Sequence, residues 1–256
     1  MKVPFWVQLP LLMLALDLFS RAGESSSAAV QTAVIDAPEA LQAAAADDRF
    51  AYAIASTVVA RYDRATGERV ALSTGPAKHL NSGFLSEGKL YCAHSNYPRT
   101  PEQSEIRVLD PETMKLTIFK DFGQSNGSLT WAVRENGSWW CTFAFYKADN
   151  ARTRLVKFDQ DWKEVGEWTY PAEVIKDLGE YSISGGVWRD GHLLVTGHDR
   201  RVLYRLRLPP KGTVLELIEV IPSPFPGQGI ANDVKPRSLV GIDRHKKQII
   251  FGELRN

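Results

Sequence analysis

The feature of this sequence that most constrains its fold is an internal repeat. Five segments share one pattern, which is a strand of small residues, a short polar turn and an apolar strand. They read ALQAAAADDRFAYAIA, HLNSGFLSEGKLYCAH, SLTWAVRENGSWWCTF, SISGGVWRDGHLLVTGH and GQGIANDVKPRSLVGID. Two alternating strands joined by a short polar turn are typical of a β-hairpin. The sequence therefore predicts five hairpins of one design.

A second type of hairpin follows the first three units. Its strands meet near Asp63 in ARYDRATGERVAL, near Asp110 in IRVLDPETMKLTIF and near Asp159 in LVKFDQDWKEVGEW. Four strands per unit, at intervals of roughly 40–50 residues, is the period of a β-propeller blade. A β-sandwich also spaces its strands in this way, but it does not require five copies of one pattern. We predict an all-β fold, a five-bladed β-propeller.

The last of these units is one strand short. Its third strand ends the chain as QIIFGELRN, whereas VQTAVIDA (Val30–Ala37) is a strand without a blade of its own. Placing Val30–Ala37 beside Ile249–Leu254 closes the ring and removes an open sheet edge. We therefore predict one propeller domain over residues 30–256, closed by an N-terminal strand that completes the last blade.

The N-terminus has the pattern of a secretory signal peptide. Lys2 precedes an apolar run from Val3 to Phe19, and small residues follow. Pro10 and Asp17 interrupt the run, which is short for the roughly 20 apolar residues of a membrane span. We predict a signal peptide over residues 1–22 and a flexible linker over residues 23–29. The protein would then be secreted or periplasmic, and an uncleaved membrane anchor is the alternative.

Charge and composition exclude several classes of function. Lys and Arg number 31 against 30 Asp and Glu, a net charge of +1, so nothing attracts the chain to nucleic acid or to an anionic membrane. The hydrophobic content of 44% is that of an ordinary globular domain. We expect a monomer without a stable membrane span, whose partner is a small polar molecule or a protein.

Most of the histidines are predicted to share one face. In a propeller, the entries of the inner strands and the loops between second and third strands open on the same rim. His79 enters an inner strand, and His94 and His198 end second strands. His245 lies in a second-to-third loop, so these four share that rim, whereas His192 lies in a turn on the opposite rim.

We take His79, His94 and His198 as the candidate catalytic residues. Three roles stay open for them: general acid–base groups, which histidine suits near neutral pH, ligands of a divalent metal in the central channel, or hydrogen-bond partners of a polar ligand. No ligand spacing such as H-E-x-x-H accompanies them, so the metal is left unassigned. Because adjacent strand residues point to opposite sides, we do not expect Asp199 to orient His198 unless the chain turns there.

The candidate ligand-binding residues occupy the same inner-strand entries and loops. They are Gln42, Asn81, Asn96, Tyr97, Trp131, Ser184, Arg200 and Gln228. Other polar residues at these positions include Thr130, Tyr146, Lys147 and Arg244. Of the tryptophans, Trp131 and Trp188 lie on inner strands and are the candidates to reach the channel, with packing between blades as the alternative for both. The others are predicted to pack between blades.

Two smaller features can also be assigned. Cys92 and Cys141 occupy matching places on the second strands of neighbouring blades, too far apart for a disulfide. We expect two reduced, buried thiols. PAEVIKDLG (Pro171–Gly179) has proline at the start and glycine at the end of a short helix between blades three and four.

The blade openings GQGIAND and SISGGVW, the latter followed by LLVTGHD, resemble those of the five-bladed glutamine-cyclotransferase type of secreted propeller. HLNSGF resembles more weakly the style of propeller cycloisomerases and lactonases. The resemblance implies a small polar ligand at the mouth of the central channel, and a lyase, cyclotransferase or hydrolase type of enzyme. The competing interpretation is a non-catalytic propeller scaffold that binds a protein or a glycan, because propellers host many unrelated functions.

Overall fold

The computed structural model describes Met1 and residues 27–124 and 127–255, and its strands form five antiparallel sheets. Blade one consists of β2 (Ala43–Ala46), β3 (Phe50–Ile54), β4 (Val59–Asp63) and β5 (Arg69–Leu72). Blade two consists of β6 (His79–Leu80), β7 (Phe84–Ser86), β8 (Lys89–Ser95), β9 (Gln103–Asp110) and β10 (Lys115–Gln124). In this blade β6 and β7 both pair with β8, so the innermost strand is interrupted.

The remaining sheets repeat the same order. Blade three consists of β11 (Ser128–Glu135), β12 (Ser138–Ala144), β13 (Arg154–Phe158) and β14 (Glu164–Thr169). Blade four consists of β15 (Gly185–Arg189), β16 (His192–Thr196), β17 (Val202–Arg207) and β18 (Glu216–Pro222). Blade five consists of β19 (Ala231–Asn232), β20 (Ser238–Asp243), β21 (Gln248–Arg255) and β1 (Ala28–Asp36). The predicted five-bladed β-propeller is confirmed.

The N-terminal strand closes the ring as predicted. β1 runs antiparallel to β21, with Val34 opposite Ile250 and Ile35 opposite Ile249. The strand begins at Ala28, two residues before the expected start at Val30, because Ala28 and Ala29 also pair with the end of β21. The predicted signal peptide and the first part of the predicted linker lie outside the described residues, apart from Met1.

Small residues line the axis because the innermost strands crowd together there. All four alanines of β2 are buried. A Cβ atom on Gly185 would lie 2.8 Å from the carbonyl oxygen of Gln228 in blade five, and one on Gly229 would lie 2.6 Å from the Cβ atom of Ala43 in blade one. Ala43 and Gly229 also form a parallel bridge that joins blade one to blade five. Larger side chains at these points would force the blades apart.

Large side chains fill the wedges between blades. Trp131 is fully buried, and a Cβ atom on Gly186 would lie 2.5 Å from its ring. Trp131 therefore packs between blades three and four. Cys92 and Cys141 are buried and free, as predicted, and burial raises the pKa of both thiols.

In the described ranges, two helices lie on the connections between strands. A 3₁₀-helix, Lys147–Arg152, links β12 to β13. The predicted short helix is α1 (Ala172–Leu178), which follows Pro171 and ends before Gly179 at φ +64°. Within the part of the chain that the structure describes, neither helix has the length and apolar character needed to cross a membrane.

The closing strand offers a direct test of how the ring is held. Ile35 is 8% exposed and packs in the core that joins blades one and five, whereas its neighbour Val34 is 42% exposed. We expect Ile35→Ala to lower the free energy of unfolding by about 3 kcal/mol, because it removes buried methyl groups and leaves a cavity. Val34→Ala is the matched control and should cost under about 0.5 kcal/mol. Urea unfolding measures both, and equal losses would contradict a packed closing strand.

Candidate functional site

A cavity of about 110 Å³ lies at one end of the propeller axis, and every blade contributes to its lining. The lining residues are Gln42, His79, Asn81, Tyr97, Thr130, Tyr146, Tyr181, Ser184, His198, Gln228 and Arg244. We refer to this cavity as the axial pocket. A larger groove of about 920 Å³ follows β1 between blades one and five, but none of the predicted site residues lines it. The axial pocket is therefore the candidate site.

Each of the five blades supplies one uncharged polar side chain to the floor of the axial pocket. These floor residues are Gln42, Asn81, Thr130, Ser184 and Gln228. They stand where an innermost strand begins, or, in blade two, where it is interrupted. Fivefold repetition of one position around an axis thus brings together residues that are far apart in sequence.

Each amide of the floor has one N–H group bound to the protein. Asn81 Nδ2 donates to the carbonyl oxygen of Leu129 at 2.8 Å, and Gln228 Nε2 donates to that of His198 at 3.0 Å. Because a carbonyl only accepts, these contacts fix which amide atom is the nitrogen. Gln42 Nε2 donates to Ser56 Oγ at 3.1 Å. The three amide oxygens remain as acceptors for a ligand, beside the second N–H of each amide.

The hydroxyl groups of the floor follow the same pattern. Thr130 Oγ1 donates to the carbonyl oxygen of Thr142 at 3.5 Å, and Ser184 Oγ donates to that of Ser182 at 3.4 Å. Both contacts are long, so they are weak hydrogen bonds. Each hydroxyl oxygen keeps its acceptor capacity in either orientation of its proton. The floor thus offers an acceptor to a ligand from every blade.

Aromatic rings form the walls above this floor. On one side, the rings of His79 and Tyr97 lie 5.3 Å apart, and those of Tyr97 and Tyr146 lie 5.1 Å apart. On the other side, Tyr181 stacks on His198 at 3.8 Å with the rings nearly parallel. Burial lowers the pKa of His79 and raises that of Tyr146, so both rings are uncharged near neutral pH.

His198 is held by two charged neighbours. Arg244 Nη1 donates to His198 Nε2 at 3.2 Å, because a guanidinium group has only donors. Neutral His198 therefore carries its proton on Nδ1, which lies 2.5 Å from Asp199 Oδ2. Burial lowers the pKa of His198, and the charge of Arg244 adds to this, although the hydrogen bond to Asp199 acts in the opposite direction.

The contact between His198 and Asp199 differs from the expectation for adjacent strand residues. β16 ends at Thr196, so both residues lie beyond the strand, where the chain bends. Arg244 Nη2 also lies 2.8 Å from Asp199 Oδ1. The charge of Arg244 is therefore matched by Asp199, and both nitrogens of His198 are occupied.

His94 does not reach the axial pocket. It is 4% exposed, and its Nε2 accepts a hydrogen bond from the backbone nitrogen of Lys78 at 2.9 Å. Its Nδ1 lies 3.2 Å from Glu105 Oε2, which Arg107 Nη2 approaches to 2.6 Å. The ring therefore fixes the backbone just before β6 through the nitrogen of Lys78 and does not line the axial pocket. Burial first, and then the charges of Arg107, His79 and Lys78, lower the pKa of His94 to about 4.

Three predicted ligand-binding residues also lie elsewhere. Trp131 is fully buried between blades, because the glycines of β15 leave room for its ring on that side. Asn96 holds its own loop together, accepting from the backbone of Gln103 and donating to the carbonyl of Pro101. Arg200 is exposed and forms an ion pair with Asp177 of α1. The other seven candidate residues do line the pocket: Gln42, His79, Asn81, Tyr97, Ser184, His198 and Gln228.

Sequence reasoning missed Tyr181 altogether. It lies between α1 and β15 and is 48% exposed, yet its ring covers His198. It lies three residues before Ser184, whereas His79 lies two residues before the equivalent Asn81. The blade pattern therefore does not align Tyr181 with His79 and gave no signal that would have identified it. Thr130, Tyr146 and Arg244 were recognised as polar residues of this rim but were not singled out.

The described residues do not assemble a metal site. No group of three or more His, Cys, Asp or Glu side chains in residues 27–124 and 127–255 is arranged to hold a metal ion. Neither His94 nor His198 is available as a metal ligand. His94 does not line the pocket and accepts from the backbone of Lys78, and Arg244 occupies Nε2 of His198. His79 alone among the three candidate histidines lines the pocket without a described hydrogen bond to its ring nitrogens.

Comparison with known proteins confirms the resemblance in fold. The glutaminyl cyclase of Myxococcus xanthus matches with a TM-score of 0.62 at 12% identity, over 90% of this chain and 97% of that chain. The Cps50 (Swd1) β-propeller domain of Myceliophteria thermophila matches with a TM-score of 0.49 at 9% identity, over 89% of this chain and 100% of that chain. The hydrazine synthase of Kuenenia stuttgartiensis matches with a TM-score of 0.46 at 9% identity, over 86% of this chain and 70% of that chain.

At identities of 9–12%, these matches indicate a shared fold and nothing about function. No protein-family model matches the chain. No curated protein matches it either. The chemistry of the axial pocket must therefore be argued from its own side chains.

The buried ring of His94 predicts a pH dependence of stability. Its pKa of about 4 in the folded chain lies below the ordinary value near 6.5, so the unfolded chain takes up the proton first. The stabilisation is complete above about pH 6.5 and is lost as the pH falls towards 4. For this group alone, the loss at about pH 5 is ~2 kcal/mol of unfolding free energy.

We expect His94→Gln to remove that part of the pH dependence, because glutamine does not titrate and its oxygen accepts from the backbone of Lys78. Urea unfolding of both proteins near pH 8 and near pH 5 measures the difference, with equal denaturant slopes as the check on two-state behaviour. The prediction fails if both proteins lose the same free energy between the two pH values.

Proposed function

We propose that this protein binds a small polar ligand in the axial pocket, with the end of the ligand that reaches the floor donating hydrogen bonds. The observation that carries the proposal is the floor, where one uncharged polar side chain from each blade converges on one cavity. Convergent polar groups in a concave site are the usual mark of a ligand pocket. Because the amide nitrogens of Asn81 and Gln228 are bound to carbonyls, the floor offers acceptors.

The walls favour the same class of ligand. The faces of Tyr97, Tyr146 and Tyr181 carry negative potential, which suits N–H groups and positive charge. Among the lining residues that the structure describes, Arg244 alone carries a full charge, and Asp199 balances it. The volume of about 110 Å³ is below the usual 300–1,000 Å³ of drug-sized sites, so the pocket suits a small molecule or one end of a longer chain.

We further propose that His79 acts as a general base in this pocket. Its pKa is lowered by burial, so the ring is neutral and can accept a proton near pH 7. His198 is less suited to that role, because Arg244 occupies its Nε2. The matched enzyme is named a glutaminyl cyclase. A peptide with an N-terminal glutamine, which carries both an amine and a carboxamide, is therefore a rational first probe.

Binding is tested with matched probes. We expect a glutaminyl dipeptide or acetamide to bind and N,N-dimethylacetamide, which lacks N–H donors, to bind more weakly. Ser184→Ala removes one acceptor from the floor and should weaken binding about fivefold, the effect of one neutral hydrogen bond. Ser138→Ala, on the opposite rim, is the control. Titration calorimetry measures the affinities, and equal affinity for probes with and without N–H groups would overturn the proposal.

Catalysis is tested in the same system. The general-base role is supported if the wild-type protein converts the glutaminyl probe and His79→Gln binds the probe without converting it. Binding without conversion of this probe would count against that role and favour the non-catalytic scaffold. The two outcomes are distinguishable because calorimetry reports binding whether or not a reaction follows.

We also propose that the chain is exported. The proposal is supported by Lys2 and the apolar run from Val3 to Phe19, which have the pattern of a signal peptide. Expression of the full chain in a bacterial host, followed by N-terminal sequencing of the protein from the periplasm or medium, should give a mature start near residue 23. A full-length protein that stays in the cytoplasm would contradict the proposal.

A further inference from the structure

A second cavity, of about 280 Å³, lies between blades two and three on the rim opposite the axial pocket. Four aromatic residues, Tyr91, Phe119, Trp139 and Trp162, form its wall. The rings of Trp139 and Trp162 stack at 5.1 Å, and those of Tyr91 and Phe119 meet edge to face at 4.9 Å. We refer to this cavity as the aromatic cleft. The accessible part of this wall includes Phe119, which is 41% exposed, whereas Trp139 is 5% exposed and packs against the other three rings.

One of these rings stands on irregular backbone. In β10, Ile118 pairs with Arg107 and Lys120 with Ile106, so Phe119 is the extra residue of a bulge. Bulges re-aim side chains and are frequent beside functional sites. Trp162 has φ +64°, the left-handed conformation that Gly67 and Met114 also adopt in the matching hairpins of blades one and two. The bulge at Phe119 and a bulky residue at the regular left-handed turn thus bring two aromatic rings to one cleft.

Polar groups lie along the edge of the aromatic wall. Glu87 and Arg134 form an ion pair at 3.0 Å, and the Glu87 side chain is 74% exposed. Ser86 and Gln160 also line the cleft. The edge therefore offers carboxylate and amide oxygens as acceptors, and guanidinium and amide nitrogens as donors. A flat apolar face beside such an edge fits a ligand that is itself apolar on one face and polar around its rim.

We propose that the aromatic cleft binds the sugar ring of an oligosaccharide. A pyranose ring presents C–H groups on one face, which would lie against the aromatic wall, and hydroxyl groups around its edge, which would meet Glu87, Arg134 and Gln160. The other ligand that stacks on aromatic rings is a nucleic acid base. Single-stranded nucleic acid requires a positively charged groove as well. Glu87 lines this cleft and the net charge is only +1, which favours the sugar.

Oligosaccharides of three kinds serve as probes: the cello-, chito- and xylo-oligosaccharide series. We expect at least one series to bind the full chain at up to millimolar concentration, with a change in tryptophan fluorescence, since two tryptophans form the wall. Phe119→Leu and Trp162→Leu keep apolar bulk but remove a flat ring, and each should weaken binding about tenfold. Titration calorimetry gives the affinities.

Ile118→Ala is the matched control. Ile118 adjoins Phe119 in β10 and is 52% exposed, but it does not line the cleft. Its variant should bind as the wild type does. Circular dichroism and the urea midpoint check that each variant is folded. Glu87→Gln should also weaken binding, and it should leave folding intact because the Glu87 side chain is 74% exposed.

Three results would overturn the proposal. The first is that none of the three series binds at millimolar concentration. The second is that binding survives unchanged in folded Phe119→Leu, Trp162→Leu and Glu87→Gln. The third is that these variants bind normally while Ser184→Ala does not, which would place the sugar in the axial pocket. Loss of binding in the cleft variants with Ser184→Ala unaffected supports the proposal, whatever the ligand of the axial pocket proves to be.

Discussion

Crowding of the five innermost strands around one axis is the constraint on which the rest of this structure depends. Gly185 and Gly229 lie where a single added carbon would meet a neighbouring blade within 2.8 Å. Such close approach fills the channel with backbone and small side chains. The polar residue at the entry to each innermost strand therefore lies at one end of this closely packed axis. The axial pocket is shallow and fixed because the atoms beneath it cannot move apart without opening the ring.

The sequence allowed the fold to be predicted because the fold is periodic. Five copies of one hairpin, a strand without a partner at one end and a missing strand at the other were sufficient to derive the closure by Val30–Ala37. The floor followed from the same periodicity, since Gln42, Asn81, Ser184 and Gln228 all lie at or beside inner-strand entries and line the pocket. Periodicity gives the position of a residue along a strand and the rim to which it belongs.

Periodicity does not give the direction in which a side chain points, and the differences concern that direction. His94 remains within β8 and turns away from the pocket, where Glu105 and the backbone of Lys78 hold it. His198 lies past the end of β16, where a bend lets Asp199 reach it. The ring of Phe119 stands on a bulge of β10 that alternation of polar and apolar residues cannot indicate. Local contacts and backbone irregularity together account for these differences.

The hydrogen bonds that define the pocket floor also join the blades. Asn81 of blade two donates to Leu129 of blade three, and Gln228 of blade five donates to His198 of blade four. The backbone of Gly229 donates to Gln42 across the closure between blades five and one. An amide that rotated to offer its nitrogen to a ligand would break a contact between blades, and would leave a carbonyl without its donor. The acceptor character of the floor is thus maintained by the same contacts that hold the ring together, and a ligand meets a site already organised before it binds.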